Sequence, residues 1–245
     1  MFKDTLEGDV ENNKEQCELP NEIIDCDEIG LFPNEIIDCD EISLFPNEID
    51  VEIKELSNKE VNELQKEAIK EAFDKISSGI KLTDAEKGNF GEMLMDQYYT
   101  SEGYTPIHSP KVIDLEHKSG QGIDGVYEKI TPDGSNEYVI ADAKVNFSKL
   151  SKGLADGTDQ MSDAWIEKRL DNAVGKQKAD EIRDAYEDNV DSVSKTVYHF
   201  SYSDNGDGIC KADISYVDSD GNQGKNKVEV QNFDKYGIEI NGGDK

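Results

Sequence analysis

Two β-prone runs, 122–130 and 136–145, flank Thr131-Pro-Asp-Gly-Ser135, and this hairpin signal constrains the chain more than any other feature. Proline presets φ, aspartate bonds to its own backbone and glycine accepts a positive φ, so the five residues carry turn chemistry. Side chains alternate along a strand, and the turn sets the register of the hairpin. Pairing centred on Asp133 puts Asp124 opposite Asp142, with Lys144 on the same strand face as Asp142. Directly opposed positions hold their Cβ atoms about 4.5–5.5 Å apart. Two carboxylates that close repel each other unless a proton or a cation lies between them. A divalent cation suits such a pair, because Mg²⁺ takes a few carboxylates and keeps several waters. The lysine can then neutralise charge developing on a phosphoryl group or help activate water.

Helical signals precede the hairpin. Ser57-Asn-Lys-Glu60 has the spacing of a capping box, and Val61, Leu64, Ala68, Ala72 and Ile76 follow at intervals of three and four. Gly79 marks the stop. A second box, Thr83-Asp-Ala-Glu86, opens a helix with Phe90, Leu94 and Tyr98 along one stripe, and Glu92 rides on it. Gly88 and Gly91 inside this helix predict close approach of another element. After the hairpin, 159–189 has a helical pattern carried by Met161, Trp165, Leu170, Ala179, Ile182 and Tyr186. The tail then alternates as strands at 196–203, 209–217 and 227–233, with turns at 204–208 and 218–224. Helix, hairpin, helix and strands together predict a mixed α/β fold.

The first part of the chain is different in kind. Residues 20–32, PNEIIDCDEIGLF, recur at 33–45 with only Gly30 changed to Ser43, and a third copy begins at Pro46. Two copies and a fraction are too few for a self-supporting solenoid, which needs about three or more. Residues 1–60 hold 19 acidic side chains against four lysines, so about a quarter of the chain carries half of the −29 net charge. Acidity and recurrent proline predict a loosely structured tether or delivery segment over 1–55, with the chemistry in 56–245. Overall acidity excludes a protein that coats nucleic acid through a basic surface, though not an enzyme that grips it locally. No apolar run approaches the length of about 18 residues that spans a bilayer, and the start lacks the basic and apolar regions of a secretory leader. Cys17, Cys26, Cys39 and Cys210 form no C-x-x-C pair, so a zinc ribbon or thioredoxin motif is absent and the compartment stays open.

The order Gly-Asn-Phe-Gly-Glu92, Gln-Gly-Ile-Asp124, Ala-Asp142-Ala-Lys144 and Gln160-Met-Ser-Asp163 resembles the PD-(D/E)xK nuclease superfamily, over residues about 83–170. The same order is similar to nuclease domains of bacterial polymorphic toxins. The resemblance implies a restriction-endonuclease-like mixed sheet flanked by helices. It implies that Glu92, Asp124 and Asp142 hold Mg²⁺, Mn²⁺ or Zn²⁺, that Lys144 stabilises the transition state or positions water, and that Gln160 orients the substrate or the attacking water. The Asp in Gly-Ile-Asp124 is not preceded by Pro, a departure from the family pattern. Val10-Glu-Asn-Asn13 matches the VENN tetrapeptide that opens the variable C-terminal toxin region of CdiA proteins. That second resemblance implies contact-dependent growth inhibition, with export on the surface of the producing cell as part of a larger protein. It implies entry through a target-cell receptor without stable membrane insertion, action in the target cytoplasm, and a cognate immunity protein, CdiI.

Residues 144–178 contain seven basic side chains against five acidic ones, which predicts that Lys149, Lys152, Lys168 and Arg169 face the phosphate backbone. DNA is the favoured substrate and tRNA the alternative. A non-catalytic acidic binding or inhibitor protein is the rival from another class. Taken singly, Asp142 and Lys144 also fit a solvated salt bridge, Glu92 an exposed helix position, and Trp165 a core residue rather than a base-stacking platform. His108, His117 and His199 share no ligand spacing and read as structural or exposed. Asp204-Asn-Gly-Asp-Gly208 is loosely like a calcium loop but lacks the closing Glu, and reads as a hairpin turn.

Overall fold

The computed structural model describes residues 56–118, 122–202 and 210–240, all within the compact unit Ile53–Lys245. The acidic repeat, Cys17, Cys26, Cys39, the 1–55 segment and the 204–208 turn lie outside the described residues. Both capping boxes form. Helix α1, Asn58–Ser77, starts where the Ser57 side chain accepts the Glu60 N–H while the Glu60 carboxylate accepts the Ser57 N–H. Helix α2, Asp84–Ser101, begins with the same reciprocal pair at Thr83 and Glu86. Each box satisfies donors that the first helical turn leaves orphaned. Gly79 takes φ +73° just past α1, where the chain must reverse.

Six strands make one mixed sheet in sequential order: β1 (Thr105–Pro106), β2 (Gly125–Ile130), β3 (Asn136–Val145), β4 (Val193–Ser201), β5 (Cys210–Tyr216) and β6 (Val228–Phe233). All neighbours are antiparallel except the central pair β3 and β4. A parallel pair needs a long crossover. That crossover carries α3 (Asp163–Glu167), α4 (Leu170–Val174), α5 (Lys176–Asp188) and a 3₁₀ turn, Val190–Ser192. The pattern at 159–189 reads as a continuing helical stretch, but the chain forms three short helices. Gly175 at φ +78° separates α4 from α5, and Met161 at φ +66° turns the chain just before α3. Tyr186, expected on the apolar stripe, is 39% exposed.

The sheet buries both faces. Alternation along β3 sends Val139, Ala141 and Val145 to one core and Tyr138 and Ile140 to the other. On the first face α1 and α2 pack through Phe73, Phe90 and Phe200, whose rings meet edge to face with Phe73–Phe90 and Phe90–Phe200 centroids 5.2 Å apart. On the second face Trp165, Leu170 and Ile182 cover Ile140 and Val197. Cys210 is buried as a free thiol. Among the described residues no helix is long and apolar enough to cross a membrane.

The two glycines of α2 part company. A Cβ on Gly91 would stand 2.7 Å from Val145 Cγ2, so the helix backbone is pressed onto β3 there. A Cβ on Gly88 would meet nothing within 4 Å, which corrects the expectation of close approach at that position. Gly91→Ala is therefore expected to destabilise by about 1–3 kcal/mol through overpacking, whereas Gly88→Ala gains about 0.5–1 kcal/mol of helix propensity. Urea titrations of the two variants check this, and equal midpoints would contradict it.

Candidate active site at the open end of the hairpin

The hairpin register is the one that pairing about Asp133 requires. Gly125 faces Ala141, Val126 faces Ile140, and so on to Ile130 and Asn136 at the turn. Asp124 sits one residue beyond the last of these pairs, level with Asp142. Its Oδ2 accepts the Ala143 N–H at 3.0 Å, so a side chain carries the hydrogen bonding one step past the strand end. Asp142 has no exposed surface, and Lys144 Nζ lies 2.5 Å from its Oδ2. Gln160 Nε2 donates to Asp142 Oδ1 at 2.5 Å. Both oxygens of this buried carboxylate thus meet positive or donor groups, as a desolvated charge requires.

Gln160 comes from the loop between β3 and α3, and its placement is fixed from several sides. Its Oε1 accepts the Ser151 N–H at 3.0 Å, and its own N–H donates to Ser151 O at 2.9 Å. The next residue, Met161, holds a left-handed backbone that an unbranched side chain adopts at a cost of about 1–2 kcal/mol. Its complete burial in the second core holds it there. From the far side Gly221 presses in, where a Cβ would come within 2.7 Å of Gln160 O.

Glu92 follows directly after the close-packed Gly91, so the contact of α2 with β3 brings it to the site. It lines a pocket of about 220 Å³ together with Asp124, His117, Arg169 and Asn172. Burial, then the charges of Asp124, Asp96 and Asp142, push the Glu92 carboxyl up to about 9. Burial also raises Asp124, against the pull of Lys144. Asp142 is raised well above the ordinary carboxylate range by burial and by Asp124. All three carboxyls resist ionisation through burial, and Glu92 and Asp142 also through the charge of Asp124, which describes a site short of positive charge. Hard carboxylate oxygens at Asp124 and Asp142 fit a divalent cation by chemistry. Among the described residues, however, no group of three His, Cys, Asp or Glu side chains lies at metal-holding distances, so Glu92 is an electrostatic neighbour of that pair rather than part of a preformed three-carboxylate cage.

The basic side chains of the crossover are engaged. Lys152 Nζ donates to Gly221 O at 2.9 Å and lies 3.1 Å from Asp159 Oδ2, and Lys168 Nζ donates to Asp156 O at 3.0 Å. Arg169 pairs with Asp156 Oδ2 at 2.8 Å and lies 4.7 Å above the ring of Trp165, which is a core residue at 3% exposure. Lys152, Lys168 and Arg169 are thus each held by a contact within the protein, while Lys152 and Lys168 stay exposed. Lys149 is exposed, and Arg169 still lines the pocket beside Glu92.

Sequence reasoning missed a buried polar group behind the site. Asp96, one helical turn after Glu92, accepts from Tyr127 Oη and from Gln65 Nε2, both at 2.7 Å. His108 Nδ1 accepts the Val126 N–H at 3.2 Å and turns Nε2 toward Asp96 Oδ1, 3.6 Å away. The spacing of Glu92 and Asp96 on one helix face was the available signal. His199 Nε2 donates to Asn146 O at the end of β3, beside Lys144 in the sheet register.

A carboxyl raised in the folded protein loses stability with pH, because the unfolded chain ionises at its ordinary value while the native group stays protonated. For Glu92 the window runs from about 4.5 to about 9. The melting temperature without divalent cations is therefore expected to fall as pH rises through this range, with a shallower fall in Glu92→Gln. Identical pH profiles for the two proteins would contradict the burial of Glu92 among acids. In comparisons with known proteins, no family, no curated protein and no solved structure matches the chain.

Proposed function

We propose that the chain is a metal-dependent nuclease with a restriction-endonuclease-like core, the toxic module of a contact-dependent growth inhibition protein. One observation carries the reading. Asp124, Asp142, Lys144 and Gln160 meet at one end of the hairpin, with Glu92 reaching them from the preceding helix. Asp124 and Asp142 would hold the divalent cation, Mg²⁺ or Mn²⁺ with Zn²⁺ as an alternative, and Glu92 adds negative charge close by. When bound, such a cation supplies Lewis-acid polarisation of a phosphoryl oxygen.

The protein's own groups supply the rest. Lys144 carries the ammonium nearest Asp142, placed to offset charge that builds on a phosphoryl oxygen as water attacks and the ester oxygen leaves. Gln160 fixes the Asp142 carboxylate, and because Ser151 engages its carbonyl oxygen, its amide nitrogen faces Asp142. The buried pair accepts a cation only by releasing protons, which ties activity to neutral or alkaline pH. DNA is the favoured substrate and tRNA the alternative on the same site. The reading also carries a cognate immunity protein in the producer, entry through a receptor, and action in the target cytoplasm. The −29 net charge favours a second reading, a non-catalytic acidic binding protein.

Plasmid DNA and total RNA incubated with the purified protein, with and without EDTA, separate these readings. Chelator-sensitive cleavage is the expected result. Asp142→Ala and Lys144→Ala should each lower it by at least about a hundredfold while circular dichroism is unchanged. Cleavage retained in both variants would overturn the assignment.

A further inference from the structure

Phe147 stands apart among the large apolar side chains of the described residues. It is 99% exposed, whereas the next most exposed, Ile130, is at 73%. It lies three residues past Lys144, at the point where β3 ends and the chain leaves the sheet. Its backbone mounting is firm. Asn146, at φ +53°, donates its N–H to Phe200 O at 2.8 Å, accepts the Tyr202 N–H on its Oδ1 at 2.9 Å, and takes His199 Nε2 on its carbonyl. On the other side the Ser148 N–H donates to Val145 O at 3.1 Å, closing a tight turn with Phe147 at its tip. An aromatic ring fully in water gains nothing for the fold, yet here the chain is locked so that the ring is presented to solvent just past the end of the strand that carries Asp142 and Lys144.

We infer that Phe147 is a nucleobase-stacking residue, receiving a base swung out of its stack next to the scissile phosphate. This rests on the nuclease reading and deepens it by naming the form of substrate, one with an unpaired or locally opened base at the cleavage point. Every base has a π-face, so a single projecting ring binds without demanding a sequence. The exposed Lys149, two residues on and just past the turn, supplies a phosphate contact. Trp165, read from the sequence as a core residue, is buried under Arg169 and offers no face to a base.

Steady-state cleavage of whichever nucleic acid the wild type digests tests this with Phe147→Ala and Phe147→Trp. The expected result is a KM raised about tenfold in Phe147→Ala, with kcat within about twofold, and a near-normal KM in Phe147→Trp, in line with the loss of one stacked base. The melting temperature should not move, because the ring touches no core. Wild-type cleavage with an unchanged KM in Phe147→Ala overturns the inference and leaves the nuclease reading intact. Absence of any cleavage by the wild type removes the reading and the inference together.

Discussion

Two acidic side chains facing each other across the open end of a hairpin set the terms for the rest of the molecule. Asp142 is wholly enclosed and Asp124 is hydrogen-bonded to the next residue along, Ala143. Neither position is one that packing alone would favour, since a buried like-charged pair costs stability unless a proton, an ammonium group or a cation offsets it. The surroundings serve that need. Lys144 rises from the same strand face, Gln160 is brought in by a backbone in the left-handed region, and Gly91 lets α2 come close enough to add Glu92.

The placing of these groups uses different parts of the fold. The hairpin register depends on the Thr131–Ser135 turn, while Glu92 depends on the contact of Gly91 with Val145. Gln160 depends on the long crossover, held down by Lys152 on Gly221 and by the buried Met161. The end of β3 is tied to β4 through Asn146, so the strand carrying Asp142 and Lys144 is anchored on both sides. A site assembled from four separate segments keeps its geometry only while the sheet and both helical layers are folded. The acidic environment is then a property of the whole unit rather than of a loop.

Local chemistry made much of this legible in the sequence. The bounds of β3, the pairing about Asp133 and both capping boxes follow from residues close together in the chain, where turn and cap preferences act directly. The parallel pairing of β3 with β4 was not legible, because it joins segments separated by the whole crossover. Gly88 and Gly91 look alike in sequence, and only the tertiary contact tells them apart. The turn at Met161 before α3 and the break between α4 and α5 at Gly175 rest on positive-φ backbones that a periodicity count does not register. Charge counting placed Lys152, Lys168 and Arg169 in a basic stretch, but could not show that each is also held by a carbonyl or carboxylate nearby. The Glu92–Asp96 spacing was visible, but its buried partners Tyr127, Gln65 and His108 come from elsewhere in the chain.

In the proposed nuclease, Asp124 and Asp142 form a buried pair that takes a divalent cation in exchange for protons. Isothermal titration of Mn²⁺ into the protein at neutral pH, repeated in buffers of different ionisation enthalpy, measures both events at once. Saturable binding with release of about one proton per ion, lost in Asp124→Asn, is the expected result. Binding without proton release, or binding that survives Asp124→Asn unchanged, would contradict it.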